Sequence, residues 1–181
     1  MHIPTHLMSG WCVSNLFTLT ARERAFCMAA ATVADLDGLS RLFGQEAYWD
    51  YHHVVCHNLA FALIVSCVLA IFSVHRVKGF IIYLALAHLH LVLDYYGSGP
   101  GWPIHYGWPF SGWTWVNPDG WEFSSWQNRV VAAVFLLWVI AIAVVRGRTP
   151  VESLTPDLDR SIVVSLRRLV GFRGRQPTQV S

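Results

Sequence analysis

A histidine and an aspartate four residues apart, His90 and Asp94, close a segment that is otherwise greasy enough for a membrane: Ala87-His88-Leu89-His90-Leu91-Val92-Leu93-Asp94. Residues at i and i+4 share one helix face, so an imidazole nitrogen and a carboxylate oxygen can converge there on one cation. An ionisable pair in apolar surroundings is costly unless it has a partner or a function. The pair therefore demands further polar groups, or a cation, at one spot of the fold.

The rest of the chain supports the membrane setting. Of 181 residues, 54% are hydrophobic and only 13% are charged, and the mean hydropathy is +0.41. These values lie outside the soluble range and point to an integral membrane protein. The net charge of +2 is small and the 13 Lys and Arg are scattered, so no nucleic-acid partner is expected. Cys12, Cys27, Cys56 and Cys67 form no C-x-x-C pair and do not read as a disulfide framework. Residues 1–20 carry no Lys or Arg, so they lack the basic start of a secretory signal, and the N-terminus is expected to be retained.

Charge-free apolar stretches mark five segments, at residues 7–20, 24–34, 57–74, 80–93 and 130–145. Only the third and fifth approach the ~20 residues of a full span. The first two are expected to be shallow, tilted, or core helices of a bundle. Residues 95–127 form a long Gly-, Pro- and Trp-rich connection, rich in turn signals and holding six of the nine tryptophans, which suit an interfacial aromatic belt or a wall over a site. Residues 157–172 can form a basic amphipathic helix with Ile162, Leu166, Leu169 and Val170 on one side. The last residues read as a disordered tail. The expectation is an all-α integral membrane bundle of about five helices, with a membrane-embedded unit at residues 1–148 and a cytoplasmic tail at residues 149–181.

If the segments alternate in direction, Arg22 and Arg24, Arg76 and Lys78, and Arg146 and Arg148 fall at one end. His6, Asp35, Asp37, His52, His53, His57, His90, Asp94 and His105 fall at the other. The positive-inside tendency places the arginine end in the cytoplasm and the histidine end outside.

Several of these residues come in clusters. Asp35-Leu36-Asp37-Gly38 closes the second segment, as a pair of cation ligands or an ordinary polar helix end. Three histidines, His52, His53 and His57, lie within six positions, which favours a site over a lone interfacial residue. His88 lies about 200° round the helix from His90 and His105 lies in the long loop; both are candidates for supporting or proton-transfer roles. His75, at the opposite end, is assigned none. Mixed His and Asp donors without a thiolate motif suit Zn²⁺, Mn²⁺ or another divalent ion. A single catalytic zinc typically needs three protein ligands, fewer than this layer holds, so one ion or two can be served. In a two-metal site Asp94 or Asp37 is the candidate bridge. The expected metal ligands are His6, Asp35, Asp37, His52, His57, His90 and Asp94, and the expected catalytic residues are Asp37, His57 and His53.

Thr5-His6, Ala34-Asp35-Leu36-Asp37, His52-His53-x-x-x-His57-Asn58, His90-x-x-x-Asp94 and Trp108-Pro109-Phe110-Ser111 resemble, in order, the motifs of the YdjM-like family of inner-membrane proteins described as metal-dependent hydrolases. The resemblance covers over half the chain. That family is itself distantly similar to the all-α zinc-dependent phospholipase C and single-strand nuclease superfamily, which implies phosphoester hydrolysis, of a lipid or a small molecule. The sequence departs from the motifs at Ala34, where Pro is usual. It departs again at His53-Val54, where Arg-Gly is usual, and at Cys56-His57-Asn58, which replaces Thr-His-Ser. The soluble phospholipases use an amino-terminal Trp as a ligand, and the Met1-His2 start counts against a third metal site here.

The leading expectation is a membrane-bound metal-dependent hydrolase working at the outer face on phosphoester bonds, with membrane lipid as neighbour or substrate. The alternatives are a non-catalytic metal-binding protein, a metal transporter, whose polar groups belong nearer the bilayer midplane, and a haem protein, whose axial histidines need no neighbouring aspartates.

Overall fold

A computed structural model describes residues 1–172. Within them the chain is helical, with seven α-helices and one 3-10 helix: α1 (Ile3–Ser14), α2 (Ala21–Ala30), the 3-10 helix (Val33–Phe43), α3 (Gln45–Tyr51), α4 (Leu59–Ile71), α5 (Arg76–Gly97), α6 (Trp126–Arg146) and α7 (Pro156–Leu169). That is more than the five segments marked by hydropathy. The 3-10 helix and α3 hold charged and polar residues that an apolar-length criterion passes over.

Local chemistry sets the ends. Pro4 occupies the first turn of α1, where its missing N–H costs nothing. Thr20 and Glu23 form a reciprocal capping box at the start of α2. The Asn58 side chain accepts from Phe61 N at 2.8 Å and so delays α4 until Leu59. As a result α4 has 13 residues, too few for a full span, whereas α5 runs for 22. The sequence expectation had these two reversed, because counting only charge-free residues discards the Arg76–Lys78 and Asp94 turns that complete α5. Among the described residues, α5 and α6 are long and apolar enough to cross a membrane.

Helices α1, α2, α4, α5 and α6 pack on one another, α4 against α5 and α1 against α2 most extensively. One core cluster joins α2 and α5 through Cys27, Ala30, Ala31, Ile82, Tyr83 and Leu86. A second joins α1 and α6 through Trp11, Cys12 and Ile142. Gly10 permits the α1–α2 approach: a Cβ there would meet Cys27 O at 2.7 Å and Ala31 Cβ at 2.9 Å. Outward, α4 and α6 present apolar side chains, among them Ile64, Ile71, Val134, Leu137 and Val145, all more than half exposed.

Contacts tie the basic segment ends together. Arg22 donates to Phe72 O at 2.8 Å, Lys78 to Thr18 O at 3.1 Å, and Arg24 pairs with Glu152. Helix α7 folds back on α6, with Arg167 donating to Val144 O at 2.8 Å and Thr149 Oγ1 to Asp159 at 2.7 Å. Its inner side carries Val163, with Ile162 and Leu166 half-buried, while Leu169 and Val170 stay exposed at its end. The residues expected to form a disordered tail lie largely outside the described ones.

The connection between α5 and α6 is irregular, held by one antiparallel bridge between Ile104 and Trp115. His88 secures it to α5: its Nδ1 meets Leu84 O at 2.8 Å and its Nε2 meets Tyr106 Oη at 2.9 Å. Asn128, fully buried, donates to Gly97 O at 2.8 Å and Phe123 O at 3.1 Å, locking the far end of the loop to the end of α5.

Candidate metal centre

Four pieces of backbone converge where α5 ends. Helix α1 supplies His6, the 3-10 helix supplies Asp35 and Asp37, the turn before α4 supplies His52, His53 and His57, and α5 supplies His90 and Asp94. The 3-10 geometry matters: at about three residues per turn, Asp35 and Asp37 leave the helix in different directions. Asp35 Oδ1 faces His90 Nε2 at 3.8 Å. Asp37 instead faces the histidine turn, with His52 Nδ1 at 2.6 Å, His57 Nδ1 at 2.8 Å and Cys56 N at 3.1 Å.

Asp94 is the centre. Its Oδ2 lies 2.9 Å from His90 Nε2, 3.3 Å from His57 Nε2 and 4.0 Å from His53 Nε2. Its Oδ1 lies 3.2 Å from His6 Nε2, accepts from Ser98 Oγ at 3.0 Å and pairs with the Met1 amino group. His6, His57, His90 and Asp94 are buried.

The hydrogen bonds behind the rings fix where their lone pairs point. His90 Nδ1 lies 2.8 Å from Ala31 O, and a carbonyl only accepts, so the proton sits on Nδ1 and the Nε2 lone pair faces Asp94. His57 Nδ1 likewise meets the Asp37 carboxylate, leaving its Nε2 toward Asp94 and 3.0 Å from His90 Nε2. Electron-rich atoms at these separations need a proton or a cation among them. Donors around a tetrahedral zinc, with bonds of about 2.0–2.1 Å, lie about 3.3 Å apart, which matches these spacings. Asp35 Oδ2 is buried without a partner, a further acceptor left open beside His90. The donor set thus fits a divalent ion.

Donor atoms of the sequence-expected site residues fall into two sets, one of which includes His53, expected as a catalytic residue and not as a ligand. His6, Asp35, His90 and Asp94 form one, and His52, His53 and His57 the other, the atoms of each within 4.8 Å of one another. The sets touch through the His57–Asp94 contact. Asp37 stands behind the second set, its oxygens engaged by His52, His57 and Cys56.

Titration follows from this arrangement. Burial opposes a charge on His57, yet the Asp37 and Asp94 carboxylates outweigh it and push its pKa up to about 9. Burial also works against the Asp37 carboxylate, but the hydrogen bonds from His52 and His57 hold it below the usual carboxylate range. His53 has no comparable partner: burial, with His57 beside it, drives its pKa well below the ordinary histidine value. Its Nδ1 is buried without a partner, and its backbone sits at φ 67°, a left-handed conformation costly for a non-glycine residue.

Trp102 covers this side of the site. Its ring stacks on His53 with centroids 4.8 Å apart and leans on Trp49 at the same distance. Beside it opens a cleft of about 580 Å³ bordered by His52, Trp102, His105, Ser98, Glu122 and Phe123. His105 borders this cleft and donates its backbone N–H to His53 O at 3.0 Å. His88 is turned toward Tyr106, away from the ligand sets. Ser98 and the Ala31 carbonyl were missed by sequence reasoning, whereas Trp102 was among the loop tryptophans expected to form an aromatic belt or a wall over the site. Ser98 alone left a signal, as it follows Asp94 by one helical turn.

A family model described as YdjM inner membrane protein matches residues 1–152, a stretch that contains every residue of this centre. No curated protein and no solved structure matches the chain.

Proposed function

Because the chain belongs to the YdjM inner membrane protein family, we propose that it is a multi-pass membrane hydrolase that holds one or two divalent ions, Zn²⁺ foremost, and cleaves phosphoester bonds, of a lipid or a small molecule, at the outer face. The observation that carries this reading is the convergence of His57 Nε2 and His90 Nε2 on Asp94 Oδ2, at 3.3 and 2.9 Å. Neutralising a buried carboxylate this way for structure alone would be an expensive device, since apolar packing of the same volume is often as stable.

In this reading His6, Asp35, His57, His90 and Asp94 hold metal, with His52 and His53 completing a second position. Asp37 orients His52 and His57 from behind, a role whose loss typically weakens metal binding. A bound divalent ion supplies an activated water near neutral pH and polarises a phosphoryl oxygen. His53, kept neutral by burial, offers a proton-transfer group beside the cleft, and Trp102 and Phe123 offer an apolar wall for an amphipathic substrate.

The outward apolar side chains of α4 and α6 and the two long helices α5 and α6 support membrane embedding of residues 1–148. Gathering of the basic segment ends opposite the histidines supports a cytoplasmic end there, with the chain beyond residue 149 in the cytoplasm.

The test is metal analysis of protein purified without added metal, followed by phosphodiester and phosphomonoester assays. Activity that chelator abolishes, divalent metal restores and Asp94→Asn removes is the expected result. Fully metallated protein that stays inactive on phosphoester, ester and amide substrates would favour the metal-binding scaffold or transporter instead.

A further inference from the structure

The far end of α5 carries a second feature, independent of the metal centre. A cleft of about 1040 Å³ opens there, walled by Val13 and Phe17 from the end of α1 and the chain just beyond it, and by Val77, Ile81 and Ala85 from α5. Its charge comes from Arg76 and Lys78, with His75 beside them. Val77 and Ile81 are 75% and 59% exposed, so these apolar walls lack a partner within the described chain. A volume at the top of the ~300–1,000 Å³ range of ligand clefts, apolar along its length and cationic at one rim, matches an amphiphile with an anionic head.

We propose that this cleft binds an anionic phospholipid, with its phosphate held by Arg76 and Lys78 and an acyl chain laid along Val13, Phe17, Val77 and Ile81. The local electrostatics agree. Helix α5 opens with no side-chain cap and no acidic residue in its first turn, so two cations sit at the positive end of the helix dipole, where charge of that sign is unfavourable. A phosphate there relieves both. The neighbouring Glu23 carboxylate already accepts from Thr20 N at 2.8 Å and, at the cleft's own rim, from Val74 N at 3.0 Å, so its oxygens are taken up by backbone donors. Lys78 already bonds Thr18 O at 3.1 Å, which joins the two walls at the rim and holds its ammonium in place. An inner membrane, the setting named by the family, supplies such lipids, and basic pockets between membrane helices are suited to anionic headgroups. A second copy of the chain is a poorer occupant, since a symmetric contact through this face would set like charges together.

The experiment compares thermal unfolding of the full-length protein in detergent micelles doped with phosphatidylglycerol or with phosphatidylethanolamine of the same acyl chains. Native mass spectrometry of retained lipid provides the second readout. Phosphatidylglycerol is expected to raise the Tm by several degrees more and to be retained preferentially. The Arg76→Gln/Lys78→Gln double variant should lose that difference while keeping its metal content, and Ile81→Trp, which fills the cleft, should lose retention of both lipids. Equal effects of the two lipids on wild type would overturn the proposal, as would selectivity that survives in the double variant. Stabilisation reproduced by inorganic phosphate alone, or a dimer disrupted by Ile81→Trp, would overturn it too. If the double variant fails to fold, preferential retention by wild type and by Arg76→Lys/Lys78→Arg decides the question. Metal content serves only as a control on the double variant and hydrolysis does not enter, so failure of lipid selectivity leaves the reading of the metal centre untouched.

Discussion

His57 and His90 meet Nε2 to Nε2 at 3.0 Å although 33 residues separate them. Each ring is braced from behind, His57 by Asp37 and His90 by the Ala31 carbonyl. The two braces come from the 3-10 helix and the end of α2, so the pair exists only when four parts of the chain are assembled. Its lone pairs and the Asp94 carboxylate then face the same point.

Asp94 and Asp37 should fail differently. Asp94→Asn removes an oxygen shared by both ligand sets and is expected to abolish bound metal, with helical content by circular dichroism unchanged. Asp37→Asn removes only the brace behind His52 and His57, and should weaken metal binding by about 10–100-fold. Metal titration followed by elemental analysis checks both. Equal losses for the two variants would contradict the separation of their roles.

Metal binding should tighten as pH rises. In metal-free protein His57 keeps its proton up to about pH 9, and a metal ion must displace it, so binding releases a proton below that value. Apparent affinity is therefore expected to increase about tenfold per pH unit for each proton displaced and to level off above pH 9. Isothermal titration in buffers of different ionisation enthalpy measures the protons released; a flat profile from pH 6 to 9 would remove His57 from the ligand set.

Orientation can be read by labelling. With native cysteines replaced, a membrane-impermeant thiol reagent should modify Cys placed at exposed Asp119, in the loop between α5 and α6, from the outer side. Cys placed at exposed Ser161, on α7, should react only after permeabilisation. The opposite pattern would put the metal centre on the cytoplasmic side.

Gly10 should tolerate no side chain. Gly10→Ala places a Cβ against Cys27 O and Ala31 Cβ at under 3 Å, and overpacking of this kind costs about 1–3 kcal/mol. A lowered Tm in detergent is expected, whereas Gly112→Ala, whose Cβ meets nothing within 4 Å, should be neutral. An unchanged Tm for Gly10→Ala would show that α1 and α2 are farther apart than described.

The sequence carried the helical class, the inner-membrane family and the layer of His and Asp donors, because apolar length, charge placement and i, i+4 spacing are local properties. His90 and Asp94 were legible as a pair for that reason, and their helix needed only correct ends. The acidic pair was legible as residues but not as geometry: Asp35 and Asp37 take opposite duties because two residues of 3-10 helix, about two-thirds of a turn, aim them in different directions, and nothing in Ala34-Asp35-Leu36-Asp37 says which partner each meets. His88 and His90, two positions apart, part company in the same way, one bracing Tyr106 and the other facing Asp94.

Tertiary structure alone decided which atoms face one another. Backbone carbonyls such as Ala31 O have no signature in sequence, yet that carbonyl sets the His90 tautomer. Trp102 looked like one member of an aromatic belt, and only packing of the loop sets it against His53. Composition and spacing act over a few residues, whereas the direction of a lone pair depends on contacts between segments that fold from distant parts of the chain. The sequence by itself thus determined that His and Asp donors would gather at one end of a membrane-suited helical protein. Assembly of α1, the 3-10 helix, the histidine turn and α5 decided which of them meet, and which stand behind.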